Sequence, residues 1–104
     1  MKFQEYEKAF LDLKVDVIND IKTRLINEKA SEIELHNGII FQHIDDQFSE
    51  IIKRVDVEVG TVSIDTGDDY YSVKFDDLTL DQLLGILREI ETGGYNVWAE
   101  FEEQ

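Results

Sequence analysis

The first thirty residues carry the pattern that most constrains the fold, because apolar side chains recur there at steps of three and four. The main stripe consists of Phe3, Tyr6, Phe10, Leu13, Val17, Ile21 and Leu25. This spacing is typical of an amphipathic α-helix, so we predict one helix over residues 3–29. At ~1.5 Å per residue the helix would be about 40 Å long, whereas a chain of this size has a radius of gyration near ~13 Å. We therefore expect the helix either to bend or to extend beyond the domain.

The charge of the chain divides where this helix ends. The 104 residues include 24 acids and 10 bases, a formal net charge of −14 at pH 7. Six acids and six bases cancel within residues 1–30, so the eighteen acids and four bases of residues 31–104 account for the whole excess. Such a polarised surface predicts a basic protein partner. It argues against direct binding of a nucleic-acid backbone, which needs clustered lysine and arginine.

The composition narrows the classes of protein further. Hydrophobic residues make up 42% of the chain, too many for a disordered acidic tail, and the length suits one domain over residues 1–104. There is no cysteine, which excludes disulfides and thiol chemistry. No stretch approaches the ~18 apolar residues of a membrane span, and the N-terminus lacks the apolar core of a signal peptide. We expect a cytoplasmic protein with no membrane contact and no cofactor.

A hairpin is predicted around Asn37-Gly38, which stands between two alternating runs. A two-residue loop would pair His36 with Ile39. A three-residue loop with Gly38 in the left-handed conformation would instead pair Leu35 with Ile39. The second register gathers the apolar residues of both strands on one face, so it is the one we expect.

The middle of the chain predicts further strands. Residues 45–53 are ambiguous between a short helix capped by Asp45 and a loop. Apolar residues occupy the odd positions of residues 55–59 but the even positions of residues 62–64, as in two strands whose alternation is out of phase. Gly60, which lies between them, indicates a bulge or a tight bend. The segment 65–69 has the composition of a turn. The inward face of the next strand is expected to consist of Tyr71, Val73 and Phe75.

The end of the chain predicts a helix and a last strand. Thr79 and Gln82 have the spacing of a capping box, and Gly93 follows the apolar run as a stop signal. Gly85 interrupts this helix, which either close packing against a strand or another subunit, or a tolerated glycine on the surface, would explain equally well. The last strand should turn Tyr95, Val97, Ala99 and Phe101 inward. The predicted fold is α+β: a single antiparallel sheet of about five strands, packed by the long N-terminal helix, with the second helix before the last strand. This order is similar in outline to cystatin-like folds, an analogy that implies no function.

Catalytic and metal-binding chemistry find little support. None of the four serines, Ser31, Ser49, Ser63 and Ser72, lies in a nucleophile elbow, and no spacing favours a serine–histidine pair. A metal site would have to draw on His36, His43, Asp45 and Asp46, but the two histidines are too far apart along a hairpin for a tight tetrahedral site. Residues 65–69 resemble a calcium loop in composition only. We predict no catalytic residue, no metal site and no enzymatic activity.

The exposed aromatic and acidic residues are the better candidates for a binding site. Tyr70 and Trp98 alternate out of phase with the residues assigned to the inward faces of their strands. If those faces pack on the core, both rings face solvent among carboxylates, as suits a hot spot for a basic protein. The alternative is that each helix covers one face of the sheet and buries Trp98 in the core. The predicted partner-binding residues are Asp68, Asp69, Tyr70, Asp76, Asp77, Asp81, Trp98 and Glu100.

Two classes of function follow. The first is a non-catalytic acidic binding module that docks on a basic protein, as inhibitors, immunity proteins and secretion-type chaperones do. A special case is a DNA mimic, whose acids would include the 68–69 and 76–77 pairs with Asp81, Glu89 and Glu91. The second is a small enzyme or ligand-binding domain with a cleft between helix and sheet. A homodimer is also expected to use the first helix, which carries no net charge, near Tyr6, Phe10 or Leu13.

Overall fold

A computed structural model describes residues 2–45 and 48–102 of the chain. In chain order the elements are α1 (Lys2–Asn27), β1 (Ala30–His43), β2 (Ser49–Asp56), β3 (Thr61–Asp65), β4 (Tyr70–Lys74), a 3-10 helix (Phe75–Asp77), α2 (Leu80–Thr92) and β5 (Tyr95–Glu100). The strands form one sheet in the order β4-β3-β2-β1-β5, and all neighbours are antiparallel. The predicted α+β architecture is therefore confirmed.

Helix α1 reaches well beyond the core that it helps to form. Its buried residues are Val17, Ile18, Ile21 and Leu25, all in the second half, whereas every residue from 2 to 13 is exposed. The radius of gyration, 14.6 Å, exceeds the ~13 Å of a compact chain of this length. We expected so long a helix either to bend or to extend beyond the domain, and in the structure it extends beyond the domain.

Both helices lie on the same face of the sheet. They pack against each other and both contact β1. The strand residues that face them are fully or almost fully buried and comprise Ile33, Leu35, Ile52, Val55, Val62 and Ile64. The two helices therefore leave the opposite face open, and the alternative in which each helix covers one face is wrong.

The predicted hairpin at Asn37-Gly38 is also wrong, because β1 runs through these residues without turning. Gly38 has φ +70° and lies in an irregular part of β1. Glu34 pairs with Arg54 and Ile39 pairs with Ile52, so β1 uses five residues where β2 uses two. The left-handed glycine thus serves a bulge and not a hairpin loop. The space there is narrow, since a Cβ on Gly38 would lie 2.5 Å from Ile51 Cγ2.

The segment after β1 also differs from the expectation. Neither a helix nor a loop spans residues 45–53, because β2 begins at Ser49. Asp45 Oδ1 accepts a hydrogen bond from Phe48 N at 2.9 Å, so Asp45 helps to close the β1–β2 connection instead of capping a helix. Asp46 lies outside the described residues.

Strand β2 is displaced towards the N-terminus relative to the predicted strand over 55–59, and it ends at Asp56. Asp56 Oδ1 accepts from Val59 N at 3.0 Å, and Gly60 N donates to Asp56 O at 2.9 Å with φ +85° at the glycine. These bonds form a tight turn, one of the two structures that the change in apolar alternation at Gly60 predicted. The 65–69 turn is also confirmed: Gly67 N donates to Asp65 Oδ1 at 2.7 Å.

Strand β4 and the C-terminal elements follow the sequence pattern more closely. Phe75 is buried as expected but belongs to the 3-10 helix, and Tyr71 is partly exposed. The capping box of α2 is present: Gln82 N donates to Thr79 Oγ1 at 3.2 Å, and Thr79 N donates to Gln82 Oε1 at 2.8 Å. Gly93 ends the helix in the left-handed conformation. A Cβ on Gly85 would lie 3.3 Å from Ile39 Cδ1, so this glycine allows α2 to pack closely on β1.

Candidate functional site

The eight residues predicted to bind a partner fall into three separate groups. Asp68, Asp69 and Tyr70 lie at the β3–β4 turn, on one edge of the sheet. The Asp69 carboxylate accepts a hydrogen bond from Tyr70 N at 2.8 Å, and Tyr70 is exposed. Tyr70 shares a cross-strand row with Asp65, Ile51 and Ile40.

A second group lies towards the helix layer. Asp76 and Asp77 belong to the 3-10 helix at the other end of β4, where the Asp76 backbone oxygen accepts from Lys14 Nζ at 2.5 Å. Asp81 is in the first turn of α2. These acids occupy different elements and do not join the turn acids in one cluster.

The third group is on the opposite edge of the sheet. Trp98 and Glu100 belong to β5, which is four strand spacings, about 19 Å, from β4. Trp98 is 56% exposed and stands on the open face. Of the two positions that the sequence left open for Trp98, the structure has the exposed one, and the core alternative is wrong.

A groove that the sequence alone did not predict lies beside Trp98. It has a volume of about 520 Å³ and is lined by Ser31, Glu32, Asp56, Glu58, Ala99, Glu100, Phe101 and Glu102. We call this feature the acidic groove. Five of its eight lining residues are carboxylates, and none of the described residues that line it is a lysine or an arginine. Only Glu100 belongs to the predicted set.

The sheet register assembles the acidic groove. Glu32 on β1 is directly opposite Asp56 on β2, so two like charges are neighbours across the strands. On the other side, Glu32 pairs with Ala99 and Ile33 with Val97, which leaves Trp98 as an extra, bulged residue of β5. Directly opposed like charges destabilise a sheet, by about 0.2–1 kcal/mol for a pair of this kind. The fold thus retains an unfavourable pair at this position.

A cation stacks on Trp98 at the edge of the acidic groove. The Arg54 guanidinium carbon lies 3.7 Å from the centroid of the indole ring, and Arg54 Nε is 3.5 Å from Glu34 Oε2. Arg54 and Glu34 are also directly opposed in the β1–β2 register. The Trp98 surface therefore already accommodates a guanidinium group, which is the geometry of a cation–π interaction.

The structure brings together one pair that could suggest catalysis. Ser49 Oγ and His43 Nδ1 are 3.0 Å apart at the end of the β1–β2 pairing, beside a cavity lined by His43, Ile44, Asp45 and Ser49. In a catalytic triad the imidazole would bridge the serine and a carboxylate through its two nitrogens. Asp45 Oδ1 accepts a hydrogen bond from Phe48 N at 2.9 Å, so this carboxylate helps to close its own turn. The pair has the character of an exposed cross-strand hydrogen bond.

The histidines are not arranged for a metal ion. His36, which we expected in a loop, is a residue of β1 and donates its backbone N–H to Gly94 O at 2.9 Å. It precedes His43 by seven strand residues, a separation of roughly 20 Å. Within residues 2–45 and 48–102, no three histidine, aspartate or glutamate side chains are grouped so that they could hold a metal.

The surroundings of Tyr71 raise the pKa of its hydroxyl. Partial burial, the hydrogen bond that its hydroxyl donates to the Glu50 carboxylate and the negative charge of that group together raise the pKa of Tyr71 to about 12. Its ring also packs edge-on against Phe41, with centroids 6.4 Å apart. These contacts hold β4 to the sheet and point to no reaction.

A cleft between helix and sheet does exist, as the enzyme alternative requires. It is a cavity of about 430 Å³ between α2 and β1, lined by Gly38, Ile39, Ile40, Asp81, Gln82, Gly85, Arg88 and Glu89. Among the described residues, Ser31 is the only buried polar one, so this cleft contains no buried carboxylate. An active acid of raised pKa would need such burial.

Comparisons of the chain with family models, curated proteins and solved structures found no match. Among the described helices, none has the length and apolar character needed to cross a membrane. The geometry of the surface is therefore the basis for a functional hypothesis.

Proposed function

We propose that this protein is a non-catalytic acidic binding module that docks on a basic protein through the acidic groove and Trp98. The observation that carries the proposal is the concentration of five carboxylates around one groove beside an exposed tryptophan. A basic partner would compensate these charges, and the tryptophan would supply apolar contact area in the middle of the interface.

The internal energetics of the acidic groove support this proposal. The opposed pair of Glu32 and Asp56 costs folding free energy, and Glu58, Glu100 and Glu102 add further negative charge nearby. Local conflicts with stability tend to occur where a surface serves binding. A lysine or arginine of the partner placed between these carboxylates would turn the repulsion into attraction.

The stacking of Arg54 supports a role for Trp98 in recognising cations. One guanidinium already lies on the indole, so this ring is positioned to attract a second from a partner, or to exchange one for the other. The acids would chiefly accelerate association, and contacts with the desolvated ring would slow dissociation. The affinity should therefore fall as salt is added, because screening weakens the exposed charge pairs.

The test uses an octa-arginine peptide as the probe and a groove variant with Glu58→Gln, Glu100→Gln and Glu102→Gln. A matched control neutralises three acids that lie elsewhere, with Asp68→Asn, Asp76→Asn and Asp77→Asn. Both variants have a formal charge three units less negative than the −14 of the parent. Binding is measured by calorimetry and by fluorescence of Trp98, the single tryptophan of the chain.

Three exposed ion pairs of about 0.2–1 kcal/mol each imply a roughly tenfold loss of affinity in the groove variant. The control should lose no more than about threefold, through the change in net charge alone. Equal losses in the two variants would contradict the proposal, because they would show that only total charge matters.

A further inference from the structure

The exposed half of α1 carries an apolar stripe that no other described part of the chain covers. Phe3 and Tyr6 are each 69% exposed, and Phe10 and Leu13 are about half exposed. Single exposed apolar residues are common, but these four form a continuous row on one side of a projecting helix. The row leads directly into Val17, where burial in the core begins.

The spacing of this row is that of a coiled-coil seam. The steps from Phe3 to Tyr6, Phe10, Leu13 and Val17 are three, four, three and four, which is the a/d pattern of a heptad repeat. The core-facing residues of α1 begin with this same row at Val17 and continue through Ile18, Ile21 and Leu25, so only the part of the row before Val17 is left uncovered by the rest of the described chain. The projecting half therefore presents a face suited to a second helix.

The charges beside the seam favour one relative direction of two helices. Glu7 and Lys14 occupy equivalent flanking positions, one heptad apart. In an antiparallel pair with its two-fold axis between Phe10 and Leu13, Glu7 of each copy faces Lys14 of the other, which gives two reciprocal ion pairs. In this register Tyr6, Phe10 and Leu13 form the shared seam, and Phe3 lies at its end. Lys14 Nζ also donates to the Asp76 backbone oxygen, and its three N–H donors allow it to make both contacts.

The charge of the rest of the chain favours the same direction. Residues 31–104 carry the entire −14, whereas residues 1–30 are neutral. A parallel pair would place two strongly negative sheets side by side. An antiparallel pair places them at opposite ends of a seam roughly 20 Å long, which exceeds the Debye length of ~8 Å at physiological salt.

We propose that the projecting half of α1 forms an antiparallel homodimer with the same segment of a second copy, through Tyr6, Phe10 and Leu13, with Phe3 at the end of the seam. Aromatic side chains bury ~150–250 Å² each, so pairing the exposed parts of Tyr6, Phe10 and Leu13 in two copies would bury roughly 600 Å² in total. This area is below the ~1,200 Å² of standard interfaces, so the dimer should be weak and in exchange with monomer. The acidic groove is on the sheet and remains accessible in either state.

Sedimentation equilibrium of the full chain between about 5 and 500 μM tests this proposal. The parent should pass from monomer towards dimer over this range. Glu7→Lys and Lys14→Glu should each weaken dimerisation by about five- to tenfold, because each replaces two attractive pairs by two repulsive ones. The double variant with both changes should recover the parental dissociation constant to within about twofold.

The matched control is Asp12→Lys, which makes the same change of charge as Glu7→Lys on a residue outside the seam. It should leave dimerisation unchanged, and circular dichroism checks that all the variants fold. A parent that stays monomeric up to 500 μM, or a double variant that is weaker than both single variants, would overturn the proposal. Since octa-arginine binding is measured separately on the acidic groove, failure here would leave the proposed function standing.

Discussion

Replacing Gly38 by alanine tests most sharply whether residues 30–43 form one continuous strand. The new Cβ would lie 2.5 Å from Ile51 Cγ2 and 3.2 Å from the carbonyl oxygen of Ile52, so atoms of β2 would have to move. Overpacking of this kind costs about 1–3 kcal/mol. The left-handed φ of +70° adds about 1 kcal/mol of backbone strain for any residue with a Cβ. We expect a total loss of about 2–4 kcal/mol of unfolding free energy.

The matched control is Gly60→Ala. Gly60 has a similar φ, +85°, but nothing lies within 4 Å of its hypothetical Cβ, so only the strain of about 1 kcal/mol applies. Both variants are unfolded in urea and followed by circular dichroism. In a domain of this size each kcal/mol also lowers Tm by about 4–8 °C, which gives a second readout.

The difference between the two glycine variants isolates the contact with β2. If Gly38 were in a solvent-exposed hairpin loop, the Gly38→Ala and Gly60→Ala variants would lose similar amounts of stability. Equal losses would therefore refute the continuous strand and the register derived from it.

Three further predictions concern local contacts. Thr79→Ala removes the cap of α2 and should cost about 1 kcal/mol in urea unfolding, whereas Thr92→Ala at the other end of that helix should cost less than about 0.5 kcal/mol. Ile21→Ala should cost about 2–5 kcal/mol because Ile21 is fully buried, and an equal loss for the exposed Ile26→Ala would contradict the position of the core. Tyr71 favours its neutral form in the folded state, so its contribution is complete below pH 10 and lost as the pH rises from about 10 to 12. Tyr71→Phe should therefore lose less stability than the parent over that interval, and identical declines would contradict the raised pKa.

Patterns confined to one element predicted the fold best. The apolar stripe of α1 and the capping box of Thr79 and Gln82 depend on residues three or four positions apart, so both are visible in the sequence. The conformation at Asn37-Gly38 could not be predicted in this way, because a left-handed glycine suits a hairpin and a bulge equally well. Here β2 on one side and β5 on the other keep the chain extended, and such tertiary pairing is not visible locally.

The same distinction explains what the sequence revealed of the candidate site. Alternation within β5 put Trp98 on the face opposite Val97 but left open whether a helix covers that face. In the structure both residues are exposed, so Val97, which was expected to face inward, is not buried. The acidic groove, however, combines β1, the end of β2, the following turn and the end of the chain. Its members Glu32, Asp56 and Glu58 become neighbours of Glu100 only through the strand order, in which β5 pairs beside β1. Once the register is known, the opposition of Glu32 and Asp56 is the signal that identifies the groove.

The measurement that tests the proposed function most directly is a map of backbone amide shifts by NMR during titration with octa-arginine. The chain has no proline, so the backbone is suited to such a map. We predict saturable, salt-sensitive shifts concentrated at residues 31–32, 56–58 and 98–102, with the indole N–H of Trp98 among the largest. Shifts spread evenly over all acidic segments, or centred on residues 68–77, would contradict the assignment of the acidic groove as the docking surface.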